Sequence, residues 1–158
     1  MLKSILSFVA SALAVAVVSL PALAQDPTAL QVIDANGEAV SLSIADLDAM
    51  EQVTFTTTTI WTDGEVTFQG PSLRTVLEEA GIEAATVTLT ALNDYTIEMP
   101  SPDAGFPVLA TRMNGSTMSV RNKGPFWIVF PYDSDVSYQT EEIYSQSIWQ
   151  LDRIEVLD

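Results

Sequence analysis

Hydrophobic and polar positions change rhythm many times along this chain, and each change marks a short element. Ala29 to Ile33 alternates and runs into Asn36-Gly37, a dipeptide suited to a tight hairpin, with Val40-Ser41-Leu42 as the return strand. Ser43 followed three residues later by Asp46 predicts a capped helix over 44–50. Val53 to Trp61 is dense in Thr and aromatic residues, a strand composition, and Val66-Thr67-Phe68 resumes extended chain after Gly64. Leu73, Val76, Leu77 and Ala80 then fall on one helical face between the N-cap Ser72 and the terminating Gly81.

Beyond that helix, Val87 to Leu92 and Tyr95 to Met99 read as two strands around the turn pair Asn93-Asp94. Ser101-Pro102-Asp103 opens a brief, irregular helix through Ala110, interrupted by Pro107. Arg112-Met113 and Thr117-Met118 flank a second hairpin turn, Asn114-Gly115. Phe126 to Phe130 is a continuous apolar run between two prolines and predicts a strand buried on both faces. Thr140 caps a helical turn over 141–146, and 148–157 closes the chain as a strand. Seven to nine short strands with two or three short helices predict an α+β domain around a mixed or antiparallel sheet.

The first 24 residues stand apart from this pattern. Met1-Leu2-Lys3 is a positive start, Ser4 to Leu20 carries no charge, and Ala22-Leu23-Ala24 is an A-x-A cleavage site. They predict a signal peptide cut after Ala24 and a single exported domain over 25–158, periplasmic or secreted. A retained membrane anchor is the alternative reading of the same run.

Composition narrows the chemistry. The chain has 158 residues, a net charge of −15 from 21 acidic and 6 basic side chains, no cysteine and no histidine. No disulfide, thiolate nucleophile or Cys-ligated metal is available, and His-dependent catalysis is excluded. The negative charge disfavours nucleic acid and, once the signal is cut, an anionic membrane surface.

Three groups of residues remain as candidates. Arg112, Arg121 and Lys123 concentrate three cations in twelve residues, next to Gly124, which lets backbone N–H groups approach a ligand. They are either one anion site or separate counter-charges to the acidic surface. Asn93, Asp94 and Tyr95 either rim a pocket or form a plain Asx turn. Trp61 precedes the turn Thr62-Asp63-Gly64, a place for a ring at a ligand rim, while the other aromatic residues read as core. Asp133-Ser134-Asp135 starts like a calcium loop, but Tyr138 and Tyr144 stand where an EF-hand needs Gly and Glu.

The motifs also have an order. Thr58-Thr59-Ile60-Trp61-Thr62-Asp63-Gly64, Phe68-Gln69-Gly70-Pro71-Ser72-Leu73 and Ala91-Leu92-Asn93-Asp94-Tyr95 come first. Arg112-Met113-Asn114-Gly115, Arg121-Asn122-Lys123-Gly124-Pro125-Phe126-Trp127 and Ile148-Trp149-Gln150-Leu151 follow. This series resembles the small exported proteins of the oxidoreductase molybdopterin-binding domain, with a sulfite oxidase-type fold. The resemblance implies a pterin and phosphate near Arg112, Arg121 and Lys123, with Asn93, Asp94 and Trp61 beside them. It also implies a molybdenum-ligating Cys thiolate upstream of the Trp61 segment, where this chain reads Thr56-Thr57-Thr58-Thr59. Hydroxyls are hard, poor substitutes for a thiolate, so no molybdenum is expected.

Three functions follow from that conflict. The first is a degenerate domain binding an anionic small molecule or a periplasmic protein partner without molybdenum catalysis. The second is a genuine molybdopterin-dependent oxidoreductase subunit, and the third a structural or sensor-partner protein. The missing Cys weighs against the enzyme, and the cation cluster favours the binder.

Overall fold

The computed structural model describes residues 28–157, so the segment read as a signal peptide lies outside the described residues. No helix among the described residues is long and apolar enough to cross a membrane. Eleven strands and three short helices run in the order β1 (Leu30–Ile33), β2 (Ala39–Leu42), α1 (Ile44–Ala49), β3 (Gln52–Thr58), β4 (Glu65–Pro71), α2 (Leu73–Glu79), β5 (Thr86–Ala91) and β6 (Thr96–Pro100). They continue as β7 (Val108–Ala110), β8 (Arg112–Met113), β9 (Ser116–Thr117), β10 (Trp127–Val129), α3 (Glu141–Gln146) and β11 (Leu151–Leu157).

Strands group into three sheets. One is five-stranded and mixed, in the order β2-β1-β11-β5-β6, where the first and last strands of the chain, β1 and β11, lie parallel. A four-stranded antiparallel sheet, β3-β4-β8-β9, and the pair β10-β7 complete the domain. The expected α+β class holds, and the strand that the pattern does not name is β7, Val108–Ala110.

Local chemistry accounts for the helices. Ser43 and Asp46 form a reciprocal capping box on α1, Ser72 Oγ accepts from the Thr75 N–H at the start of α2, and Thr140 accepts from the Ile143 N–H at α3. Each cap satisfies backbone donors that a short helix otherwise leaves open, which matters most in helices of six or seven residues.

One expectation fails. The brief helix from Ser101 to Ala110 is absent, and Val108–Ala110 is a fully buried strand paired with Trp127–Val129. Pro107 blocks helix propagation, and its carbonyl accepts the Leu73 N–H at 2.8 Å. The three apolar residues that follow are worth more in the β10 ladder, between two apolar layers, than in an exposed turn.

The interior has two apolar clusters. The larger, including Leu30, Leu73, Leu89, Phe126, Ile128 and Ile154, lies between the five-stranded sheet, α2 and β10. The smaller joins Val66, Phe68, Val108, Met118, Trp127 and Val129 under the four-stranded sheet. Phe126 and Ile128 enter the first cluster and Trp127 and Val129 the second, so β10 is the wall between them, as its unbroken apolar run predicts. Trp61 packs against both.

Candidate functional site

The cleft begins where β3 ends. Past Thr58 the chain turns, and the turn is tied by its own hydroxyls: Thr59 Oγ1 lies 2.7 Å from Thr62 Oγ1 and accepts the Trp61 N–H at 3.0 Å. This tie turns the Trp61 ring inward. Its ring meets Trp127, Tyr132, Tyr144 and Trp149 edge-on, with centroids 5.7–6.0 Å apart, the geometry that aromatic quadrupoles favour.

Two other segments complete the walls. The β5–β6 turn contributes Ala91, Asn93 and Tyr95, and α3 with the strap after it contributes Tyr144, Ser145, Ser147, Ile148 and Trp149. Asn93 Oδ1 accepts the Tyr95 N–H at 3.2 Å, and Asp94 takes a left-handed φ of 63°, a conformation Asp tolerates better than most residues. The cleft, open to solvent on one side, holds about 320 Å³. A smaller hollow of about 160 Å³ lies against it, lined by Thr58, Thr59, Ile60, Tyr132, Asp133, Gln139 and Tyr144, and shares Tyr144 with the cleft.

The strap is held by unusual backbone. Lys123 and Gln150 are both left-handed, with φ of 66° and 53°, and the Gln150 N–H donates to the Lys123 carbonyl at 3.0 Å. Gln150 Nε2 donates to the Val120 carbonyl at 2.6 Å. The pairing brings the Lys123 ammonium to 4.8 Å from the Trp149 ring centre and 5.5 Å from that of Trp127. Tyr132 donates its hydroxyl to Ser147 Oγ at 2.7 Å, and burial pushes its phenol up to about 12, so it remains a donor at any physiological pH.

The sequence-derived candidates divide. Trp61 and Asn93 line the cleft, and Lys123 lies against its Trp149 wall. Asp94 belongs to the same turn without lining it. Arg112, on β8, is held by the Asp48 carboxylate through two hydrogen bonds, one of them 2.7 Å from Nη2 to Oδ2. The pair raises the Arg112 pKa and lowers that of Asp48. Arg121 is exposed in the 3-10 turn Val120–Asn122 and makes no ion pair among the described residues. Sequence reasoning missed Tyr144 and the Ser145–Ser147 strap, and it placed Trp149 in the core, whereas Trp149 is 37% exposed. The strand read over 148–157 starts only at Leu151, after the left-handed Gln150, and Trp149 keeps an isolated bridge to Trp127.

Comparison with known proteins now decides the family. The sequence profile of the oxidoreductase molybdopterin binding domain matches residues 18–134, most of the chain. The chain belongs to the oxidoreductase molybdopterin binding domain family. No curated protein sequence matches it. Among solved structures, the sulfane dehydrogenase SoxCD from Paracoccus pantotrophus superposes with a TM-score of 0.62 at 16% identity. The match takes in 87% of this chain and 40% of that one, so the molybdopterin binding domain spans less than half of that enzyme chain. The fold is the sulfite oxidase-type domain.

Family membership implies a molybdenum-pterin group, and the donors present do not fit its metal. All four hydroxyls of the threonine stretch are committed within the protein. Thr56 Oγ1 lies 2.8 Å from Thr67 Oγ1, and buried Thr57 donates to the Thr58 carbonyl while accepting the Asp133 N–H. Thr58 donates its hydroxyl and its backbone N–H to the Asp133 carboxylate, and Thr59 pairs with Thr62. These bonds hold the Asp133 pKa below the usual carboxylate range, the Thr58 N–H contributing most. Asp133 is therefore an anionic clasp between β3 and the segment after β10, and not the start of a calcium loop. No cluster of three or more Asp, Glu, His or Cys suited to a metal occurs among the described residues.

Proposed function

We propose that this molybdopterin binding domain is an exported binding protein that holds an anionic small molecule in the Trp61–Trp149 cleft and performs no molybdenum chemistry. The observation that carries this reading is the threonine stretch, whose four hydroxyls are spent on Thr67, Asp133, Thr62 and the Thr58 carbonyl. A metal bound there has no thiolate, and to take a hydroxyl it must first break the clasp. Export is supported by the charge-free run and A-x-A site before Gln25.

Anion binding is supported by Lys123. Its ammonium lies on the aromatic wall of the cleft and makes no ion pair among the described residues, in a chain with a large excess of acids. Arg112 contributes little to such a site, because Asp48 already neutralises it. The test is metal and pterin content of protein purified from a host that makes the cofactor. Less than a tenth of an equivalent of molybdenum and no extractable pterin fluorescence is the expected result. A metal-to-protein ratio near one that survives gel filtration overturns the proposal and restores the enzyme.

A further inference from the structure

The hollows on this molecule differ in charge. The groove between β2, α1 and α2 is lined by Asp46 and Glu79, and the hollow below Trp61 by Asp133. The cleft itself has no carboxylate among its nine lining residues, although the chain has 21 acids. Local charge is thus less hostile to an anion in the cleft walled by Trp61 and Trp149 than in these two hollows.

Its polar groups point the same way. Indole N–H groups only donate, and those of Trp61 and Trp149 have no hydrogen-bond acceptor among the described residues; only the third indole, in Trp127, does, giving its proton to the Ser147 carbonyl. Asn93 uses its carbonyl oxygen to accept the Tyr95 N–H, and its amide N–H groups have no acceptor among the described residues. The phenols of Tyr95 and Tyr144 also lack partners among the described residues. The cleft therefore has more free donors than acceptors, because its indole and amide N–H groups only donate and its two phenols can do either.

Size and charge limit the class further. A volume of about 320 Å³ is at the lower end of the roughly 300–1,000 Å³ typical of small-molecule pockets, so a one- or two-ring molecule fills it. The exposed edges and faces of four aromatic side chains favour a flat ring. The Lys123 ammonium, which packs on the Trp149 ring without being one of the nine lining residues, and the neutral donors match one negative charge; a dianion meets the field of a −15 chain with a single cation to offset it.

Resting on the binding-protein reading above, we infer that the ligand is a small aromatic monocarboxylate. Its ring packs among Trp61, Tyr95, Tyr144 and Trp149, and its carboxylate faces the free N–H donors on the Lys123 side of Trp149. No bond is made or broken.

Calorimetric titration of the full exported protein, already assayed for metal, tests this with four probes: benzoate, benzyl alcohol, benzylamine and acetate. Benzoate is expected to bind saturably, benzyl alcohol and benzylamine at least tenfold more weakly, and acetate not measurably. Lys123→Met is expected to weaken benzoate about tenfold, equivalent to about 1.4 kcal/mol, and to leave benzyl alcohol unchanged. Benzylamine or benzyl alcohol equalling benzoate, or no binding of benzoate to metal-free protein, overturns the ligand class and leaves the metal-free reading intact. Stoichiometric molybdenum in the same preparation overturns the metal-free reading instead. The wild-type probe series stands by itself if Lys123→Met does not fold.

Discussion

Asp133, through Thr58, and Asp48, through Arg112, each fix a distant segment by a pairing that no local pattern announces. Asp133 is 75 residues from Thr58, and Asp48 is 64 from Arg112. Trp61 and Asn93 are legible because turn chemistry marks them, whereas the partners of these two carboxylates are not legible among 21 acids. Both have a folded pKa below the ordinary value, Asp133 through Thr58 and Asp48 through Arg112. Their stabilisation is therefore complete above the unfolded carboxyl pKa, about 3.9, and is lost as pH falls through the lower folded values. Melting temperature is expected to hold from pH 7 to pH 5 and to drop below about pH 4, and Asp133→Asn is expected to flatten that acid limb. A wild-type melting point unchanged at pH 3 contradicts the clasp. The Arg112–Asp48 side chains are 25% and 32% exposed, so replacing either with a neutral residue is expected to cost about 1 kcal/mol in urea unfolding. The double variant should cost no more than the larger single change, and additive losses contradict the pairing.

Elements were read well where a cap or turn residue defined their ends. The Asn36-Gly37 and Asn114-Gly115 hairpins, the three capped helices and the doubly buried β10 are all as the pattern predicts. β7 was misread because a three-residue apolar strand after Pro107 has no periodicity to separate it from a helical turn. Packing between elements, by contrast, was not legible at all. Gly70 on β4 faces β7 so closely that a Cβ there lies 2.0 Å from the Leu109 carbonyl oxygen, and one at Gly124 lies 1.9 Å from that of Met118. Both neighbours are backbone and cannot swing aside. Gly70→Ala and Gly124→Ala are each expected to destabilise by about 3 kcal/mol, read as a lower urea midpoint. A loss under about 1 kcal/mol shows that the sheets pack less tightly than described. Gly124→Ala also disturbs the loop that carries Lys123, so it is expected to weaken benzoate binding, while Gly70→Ala is not.

At the scale of the whole molecule, the order of motifs carried the fold because each is anchored to a fixed turn or cap. The cleft was only half legible, since its walls come from three segments that meet through tertiary packing: the Trp61 turn, the Asn93 turn and the strap ending at Trp149. In the proposed reading, function separates from fold at the threonine stretch, whose four hydroxyls are tied into an internal hydrogen-bonded clasp. Native mass spectrometry of the protein recovered from its exported fraction tests this most directly. The account predicts a chain beginning at Gln25 with no molybdenum-pterin adduct, and a mass shift on adding benzoate. A full-length chain contradicts cleavage after Ala24, and a one-to-one adduct with the mass of a molybdenum-pterin group contradicts the central claim.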